Sequence, residues 1–141
     1  PRPFEDVFWS VSHKPGVVAG VVSRSPVGID VEQVRPVSGR LFERIVTPEE
    51  QSRFSSPDRE QIFFRTFTAK EAVLKRFGLG IESLSMVQAV EDKGEDGLVL
   101  AFGDENVRVC QFYLDDYIAS VTKELSDACH TVEWAVEGMA G

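Results

Sequence analysis

Long hydrophobic runs are missing from this chain. No stretch approaches the ~18 consecutive apolar residues of a membrane span, so no transmembrane helix is expected. The N-terminal residues Pro-Arg-Pro-Phe-Glu-Asp lack the basic-then-apolar order of a secretory signal, and the expected location is the cytoplasm. Cysteine is scarce. Cys110 and Cys129 fall on different expected strands with no partner spacing for zinc, so both are read as reduced packing residues and redox chemistry finds no support. A basic excess is absent too, and a net charge of −8 argues against nucleic acid as a partner. Repeats and low-complexity tracts are also lacking. What remains is 141 residues, 43% hydrophobic, enough for a single domain with a real core.

The acidic charge is concentrated. Residues 91–105 and 115–137 each carry a net −5, which leaves +2 on the rest of the chain. Arg35, Arg40 and Arg44, opposed only by Glu43 over residues 33–44, form the one local basic patch.

Val7 to Ser12 and Gly16 to Ser23 read as two strands joined by the turn His13-Lys14-Pro15-Gly16, and Ser25-Pro26 turns the chain into a third, Val27 to Glu32. A β-meander is the expectation. Arg40 to Val46 reads as a short helix, and Thr47-Pro48-Glu49-Glu50 starts another, with Thr47 as N-cap and Glu50 closing a capping box. Ser56-Pro57-Asp58 opens a long helix in the same way. In it Phe63, Phe67, Leu74 and Phe77 recur at offsets of three and four with Lys70 filling the gap, so that face is buried and Gly78 ends the helix. Strands are expected at Ser85 to Val90, Leu98 to Phe102, Val107 to Tyr113, Tyr117 to Lys123 and Thr131 to Val136, with a solvated turn at 92–97. The order strands, helices, strands predicts an α+β fold, an antiparallel sheet packed against one long helix.

Two short segments carry the chemistry. In Gly28-Ile29-Asp30-Val31-Glu32 the two carboxylates share one side of a strand, and in Phe67-Thr-Ala-Lys70-Glu71-Ala-Val-Leu-Lys75 the residues Glu71 and Lys75 share one face of a helix. Either spacing alone is ordinary: an i,i+4 Glu–Lys pair contributes only about 0.2–0.5 kcal/mol. Packed together, the segments would make a divalent-metal site flanked by phosphate-binding cations.

With Phe8-Trp9-Ser10-Val11-Ser12-His13-Lys14 ahead of them, these segments resemble the phosphopantetheinyl transferase superfamily, whose members move the phosphopantetheine arm of coenzyme A onto a serine of an acyl or peptidyl carrier protein. Order and spacing match the surfactin-synthetase-activating type. Glu32 separates the chain from the smaller holo-acyl-carrier-protein synthases, and by length the chain resembles the second of that type's two similar halves plus the edge of the first.

The resemblance implies Mg²⁺ held by Asp30, Glu32 and Glu71, with Glu71 and Lys75 catalytic and His13, Lys14, Lys70 and Lys75 binding coenzyme A. Glu71, directly or through a metal-bound water, would take the serine proton, and Lys75 would steady the departing adenosine bisphosphate. Phe67 stands where relatives usually have Trp, and Leu79 near a position where they often have Lys. The basic patch Arg35, Arg40, Arg44 would dock an acidic carrier protein, in fatty acid, polyketide or nonribosomal peptide biosynthesis. Because a single unit presents one wall of a cleft, a homodimer or homotrimer is implied. The rival expectation is a non-catalytic or incomplete half-domain, excised from a longer transferase or synthase, that binds carrier proteins as a scaffold.

Overall fold

The computed structural model describes residues 7–123 and the backbone of 133–136. Strands β1 (Phe8–Lys14) and β2 (Val17–Ser23) form a hairpin whose two-residue loop places Pro15 before Gly16, with Gly16 at φ 89°, a conformation glycine adopts without steric cost. With β8 (Glu133–Val136) they make a three-stranded antiparallel sheet in the order β1-β2-β8. A second, five-stranded antiparallel sheet has the order β3-β7-β6-β5-β4, built from β3 (Ile29–Gln33), β4 (Val87–Asp92), β5 (Leu98–Phe102), β6 (Glu105–Leu114) and β7 (Tyr117–Lys123). Between β3 and β4 lie the helices α1 (Gly39–Ile45), α2 (Pro48–Ser52) and α3 (Arg59–Arg76). The α+β class holds.

The meander does not form. β3 leaves β2 and pairs with β7, from Ile29 opposite Val121 to Gln33 opposite Tyr117. Its free edge meets β1 through side chains instead: the backbone N–H groups of Ile29 and Val31 donate to Ser10 Oγ and Ser12 Oγ, each at 3.1 Å. Two buried serines thus stand in for a carbonyl ladder, which satisfies the edge donors without extending the sheet. The two sheets enclose one core, where Val17, Ala19 and Val21 pack against Ile29, Val31, Ala119 and Val121.

The other face of the large sheet receives α3. Ala69, Val73 and Leu74 pack on Val87, Leu98, Leu100, Val107 and Val109, while Phe63 and Phe64 pack with Phe42 of α1 and with Ile118. The N-cap of α3 is Asp58, two residues beyond the expected serine; its carboxylate accepts from the N–H groups of Glu60 and Gln61 and leaves Pro57 outside the helix. At the far end Gly78 takes φ 71° and Leu79 N–H returns to Leu74 O at 2.9 Å, the stop expected of that glycine. The Thr47 capping box is present as read.

The cysteine reading is corrected. Cys110 is buried on β6 and disulfide-bonded, not reduced. Spacing along the chain reports nothing of proximity across a sheet, and Cys129 lies outside the described residues, as does the start of the strand expected from Thr131. No helix among the described residues is long and apolar enough to cross a membrane.

Candidate active site

Alternation along β3 sends Ile29 and Val31 into the core between the sheets and turns Asp30 and Glu32 to the opposite side, the side on which α3 lies. Gly28 allows the approach. A Cβ there would fall 2.7 Å from the backbone nitrogen of Arg76 and closer still to the carbonyl oxygen of Ala72, so only glycine lets strand and helix touch at this point. Thr122 of β7 fixes the contact, its hydroxyl accepting from Gly28 N–H at 2.9 Å and its N–H donating to Gly28 O at 3.0 Å.

Asp30 is buried, 5% exposed. Its Oδ1 accepts from the Ser12 hydroxyl at 3.3 Å and from Lys75 Nζ at 3.4 Å, while Oδ2, equally buried, has no hydrogen-bond partner. Lys75 Nζ also donates to Ile29 O at 2.9 Å. Glu32, also buried, meets Lys14 Nζ at 3.1 Å through Oε2 and Arg35 at 3.7 Å through Oε1. Glu71 stands half-buried on α3, one turn before Lys75. Burial raises the Asp30 carboxyl to about 7 against the pull of Lys75, with Glu32 and Glu71 pushing further the same way. Glu71 is raised too, by burial first and then by Glu32, with Lys75 opposing. The three carboxylates therefore feel one another.

They do not form a ready metal shell. Among the described residues no three His, Cys, Asp or Glu side chains gather closely enough to hold an ion, because Asp30 and Glu32 direct their oxygens at Lys75, Lys14 and Arg35. The chemistry nonetheless fits a hard divalent cation: the candidate donors are all oxygen, and Asp30 Oδ2 is a buried acceptor with nothing to accept.

The other expected residues divide. Lys14 and Lys75 join the carboxylates. His13 is exposed on β1 opposite Val18, on the outward side of the alternation that turns Ser12 inward, and it does not touch them. Lys70 stands apart from them, turned toward α1 and α2. It is 4% exposed, with its ammonium on Glu50 Oε1 at 3.0 Å and Ile45 O at 2.8 Å inside the fold. Ser12 was missed; its inward place in the Ser10-Val11-Ser12 alternation was the available signal. Shallow cavities of about 310 and 390 Å³ flank Lys75, bordered by Trp9, Phe77 and Leu79. A third, of about 530 Å³, has apolar walls of Leu41, Phe67 and Ile81 with Arg35 and Arg44 at its border; Arg40 is exposed on α1 nearby in sequence.

Residues 26–122, which include β3, α3 and β7 up to Thr122, match the family described as the 4'-phosphopantetheinyl transferase superfamily. The chain is similar to the 4'-phosphopantetheinyl transferase psf-1 of Bacillus pumilus, 33% identical over 68% of this chain and 42% of that protein. It is similar to a 4'-phosphopantetheinyl transferase of Bacillus subtilis, 26% identical over 91% of this chain and 60% of the relative. It thus spans about half the length of the curated relatives it matches. Among solved structures, the holo-[acyl-carrier-protein] synthase of Thermotoga maritima superposes with a TM-score of 0.55 and 25% identity, covering 69% of this chain and 61% of that one. With the family match falling on the elements that carry Asp30, Glu32, Glu71 and Lys75, the chain belongs to the 4'-phosphopantetheinyl transferase superfamily.

Proposed function

We propose that this domain transfers the phosphopantetheine arm of coenzyme A to a serine of an acyl or peptidyl carrier protein in a Mg²⁺-dependent reaction. The observation that carries the reading is the buried pair Asp30 and Glu32, flanked by Lys14 and Lys75 and facing Glu71. Asp30, Glu32 and Glu71 would hold the ion, which when bound neutralises the pyrophosphate that carboxylates alone would repel. Lys14 and Lys75 add positive charge for the phosphates, and His13 lies on the same strand to reach the ribose phosphate. Glu71 takes the serine proton as the serine oxygen bonds to the pantetheine-side phosphorus. The P–O bond to adenosine bisphosphate breaks, and Lys75 balances the charge on that leaving group. Arg35 and Arg44, bordering the apolar cavity, together with the exposed Arg40 of α1, suit the acidic, amphipathic surface of a carrier.

Mass spectrometry of apo-carrier proteins incubated with this chain, coenzyme A and Mg²⁺ tests the reading, the expected result being a gain of one phosphopantetheine. Glu71→Gln keeps shape and helix propensity but not charge, and should abolish that gain without moving the melting temperature by more than a few degrees. Near-parental turnover by the variant would remove Glu71 from the chemistry. Length favours a second reading: spanning 42% of one relative and 60% of another, the domain would bind carriers and require a further unit to close over coenzyme A.

The small sheet bears on this. Trp9, Val11, Val18 and Val22 are 42–67% exposed on its outward face, whereas Val17, Ala19 and Val21 are covered. We infer that a second copy covers this face, which no described residue covers. Activity is then expected to fall on dilution together with the mass measured by light scattering. A fully active monomer would overturn the assembly, and a Val22→Glu variant should shift the equilibrium toward monomer.

A further inference from the structure

Lys70 and Glu71 are adjacent on α3 yet face different elements. Lys70 Nζ reaches the C-terminal part of α1, at Ile45 O, and the N-terminal part of α2, at Glu50. Glu50 is fully buried; its Oε1 also accepts from Thr47 N–H at 2.9 Å, and its Oε2 from Ala89 N–H of β4 at 2.7 Å. One ion pair therefore ties α1, α2, α3 and β4 together. Buried pairs of this kind add little net stability, since desolvation offsets their attraction, but their directed contacts fix where the elements lie.

The elements joined are the two whose separation matters for the proposed transfer. The exposed side of α1 carries Arg40 and Arg44, and α3 carries Glu71 in the position after Lys70. We propose that Lys70 is a positioning residue, which through Ile45 O sets the distance between the carrier-docking platform on α1 and the carboxylate on α3 that receives the serine proton, with Glu50 as its buried counter-charge. This rests on the transferase reading. It implies that loss of the ammonium is felt by the carrier substrate and not by coenzyme A, the reverse of what a phosphate ligand would show.

The test uses Lys70→Met, which keeps length and apolar bulk, and the double variant Lys70→Met/Glu50→Gln, which removes the carboxylate left without its partner. Both are compared with the parent in coenzyme A binding by calorimetry with Mg²⁺, in steady-state kinetics for each substrate, and in melting temperature. The double variant is expected to melt above the single one and to bind coenzyme A within about twofold of the parent, while kcat/KM for the carrier falls by roughly 10²-fold, the effect of a misplacement near 1 Å. Coenzyme A binding weakened tenfold or more with carrier kinetics unchanged would overturn the proposal in favour of a phosphate ligand. Lower melting temperature with both sets of kinetics unchanged would overturn it in favour of a purely structural pair. A parent that transfers nothing overturns the transferase reading, and the proposal with it; an active parent with either of the preceding outcomes overturns the proposal alone.

Discussion

Gly28→Ala is expected to cost the domain about 3 kcal/mol or more, at the upper end of what overpacking a core produces. The added methyl would meet the carbonyl oxygen of Ala72 and the nitrogen of Arg76, backbone atoms of α3 that cannot rotate aside as a side chain would. Helix and strand must part, and parting them breaks the Gly28–Thr122 hydrogen bonds on one side of β3 and draws Asp30 and Glu32 away from Glu71 on the other. Denaturant unfolding should show a lower midpoint at unchanged slope. Gly39→Ala is the control: nothing lies within 4 Å of a Cβ there and the backbone angle is ordinary, so the change should be neutral or stabilising by up to about 0.5 kcal/mol. A Gly28→Ala variant as stable as Gly39→Ala would show that the close approach of β3 to α3 does not hold in solution.

How far the sequence led follows from the range over which each signal acts. The Thr47 capping box and the Gly78 stop are settled within one helical turn, so local residues were enough. Helical period placed Lys70 in the buried Phe63–Phe67–Leu74 stripe, and strand period placed Asp30 and Glu32 on one side; both placements hold. The same stripe already implied that Lys70 faces inward, a conclusion that the phosphate-binding expectation set aside. Glu50 shows the limit more sharply. Its bond to Thr47 was legible three residues away, while its bonds to Lys70 and Ala89 depend on how α2, α3 and β4 pack, and no local pattern encodes that. The meander failed for a similar reason. Adjacent strands usually pair, but the edge of β3 is closed by two serine side chains, and nothing in a hydroxyl's position reveals that it substitutes for a carbonyl.

Asp30→Asn is expected to separate stability from function, stabilising the metal-free domain at pH 8 while abolishing transfer. The Asp30 carboxyl ionises near 3.8 in an unfolded chain and at about 7 in the folded one, chiefly because it is buried. Between those values the folded state holds a proton that the unfolded state has released, so stability falls as pH rises from about 4 to about 7 and stays reduced above. Asn carries no ionisation, and it keeps an acceptor for Ser12 and Lys75, so at pH 8 it should recover on the order of 1–3 kcal/mol. Near pH 4, where the parent is protonated as well, the two should melt together. Mg²⁺ reverses the comparison: a cation that prefers ionised Asp30 stabilises the parent in proportion to its binding, and the variant much less. Equal Mg²⁺-induced shifts in melting temperature for parent and variant would exclude Asp30 as a ligand. A variant less stable than the parent at pH 8 without metal would mean that the carboxylate's attraction to Lys75 outweighs its burial, the opposite order of the two effects.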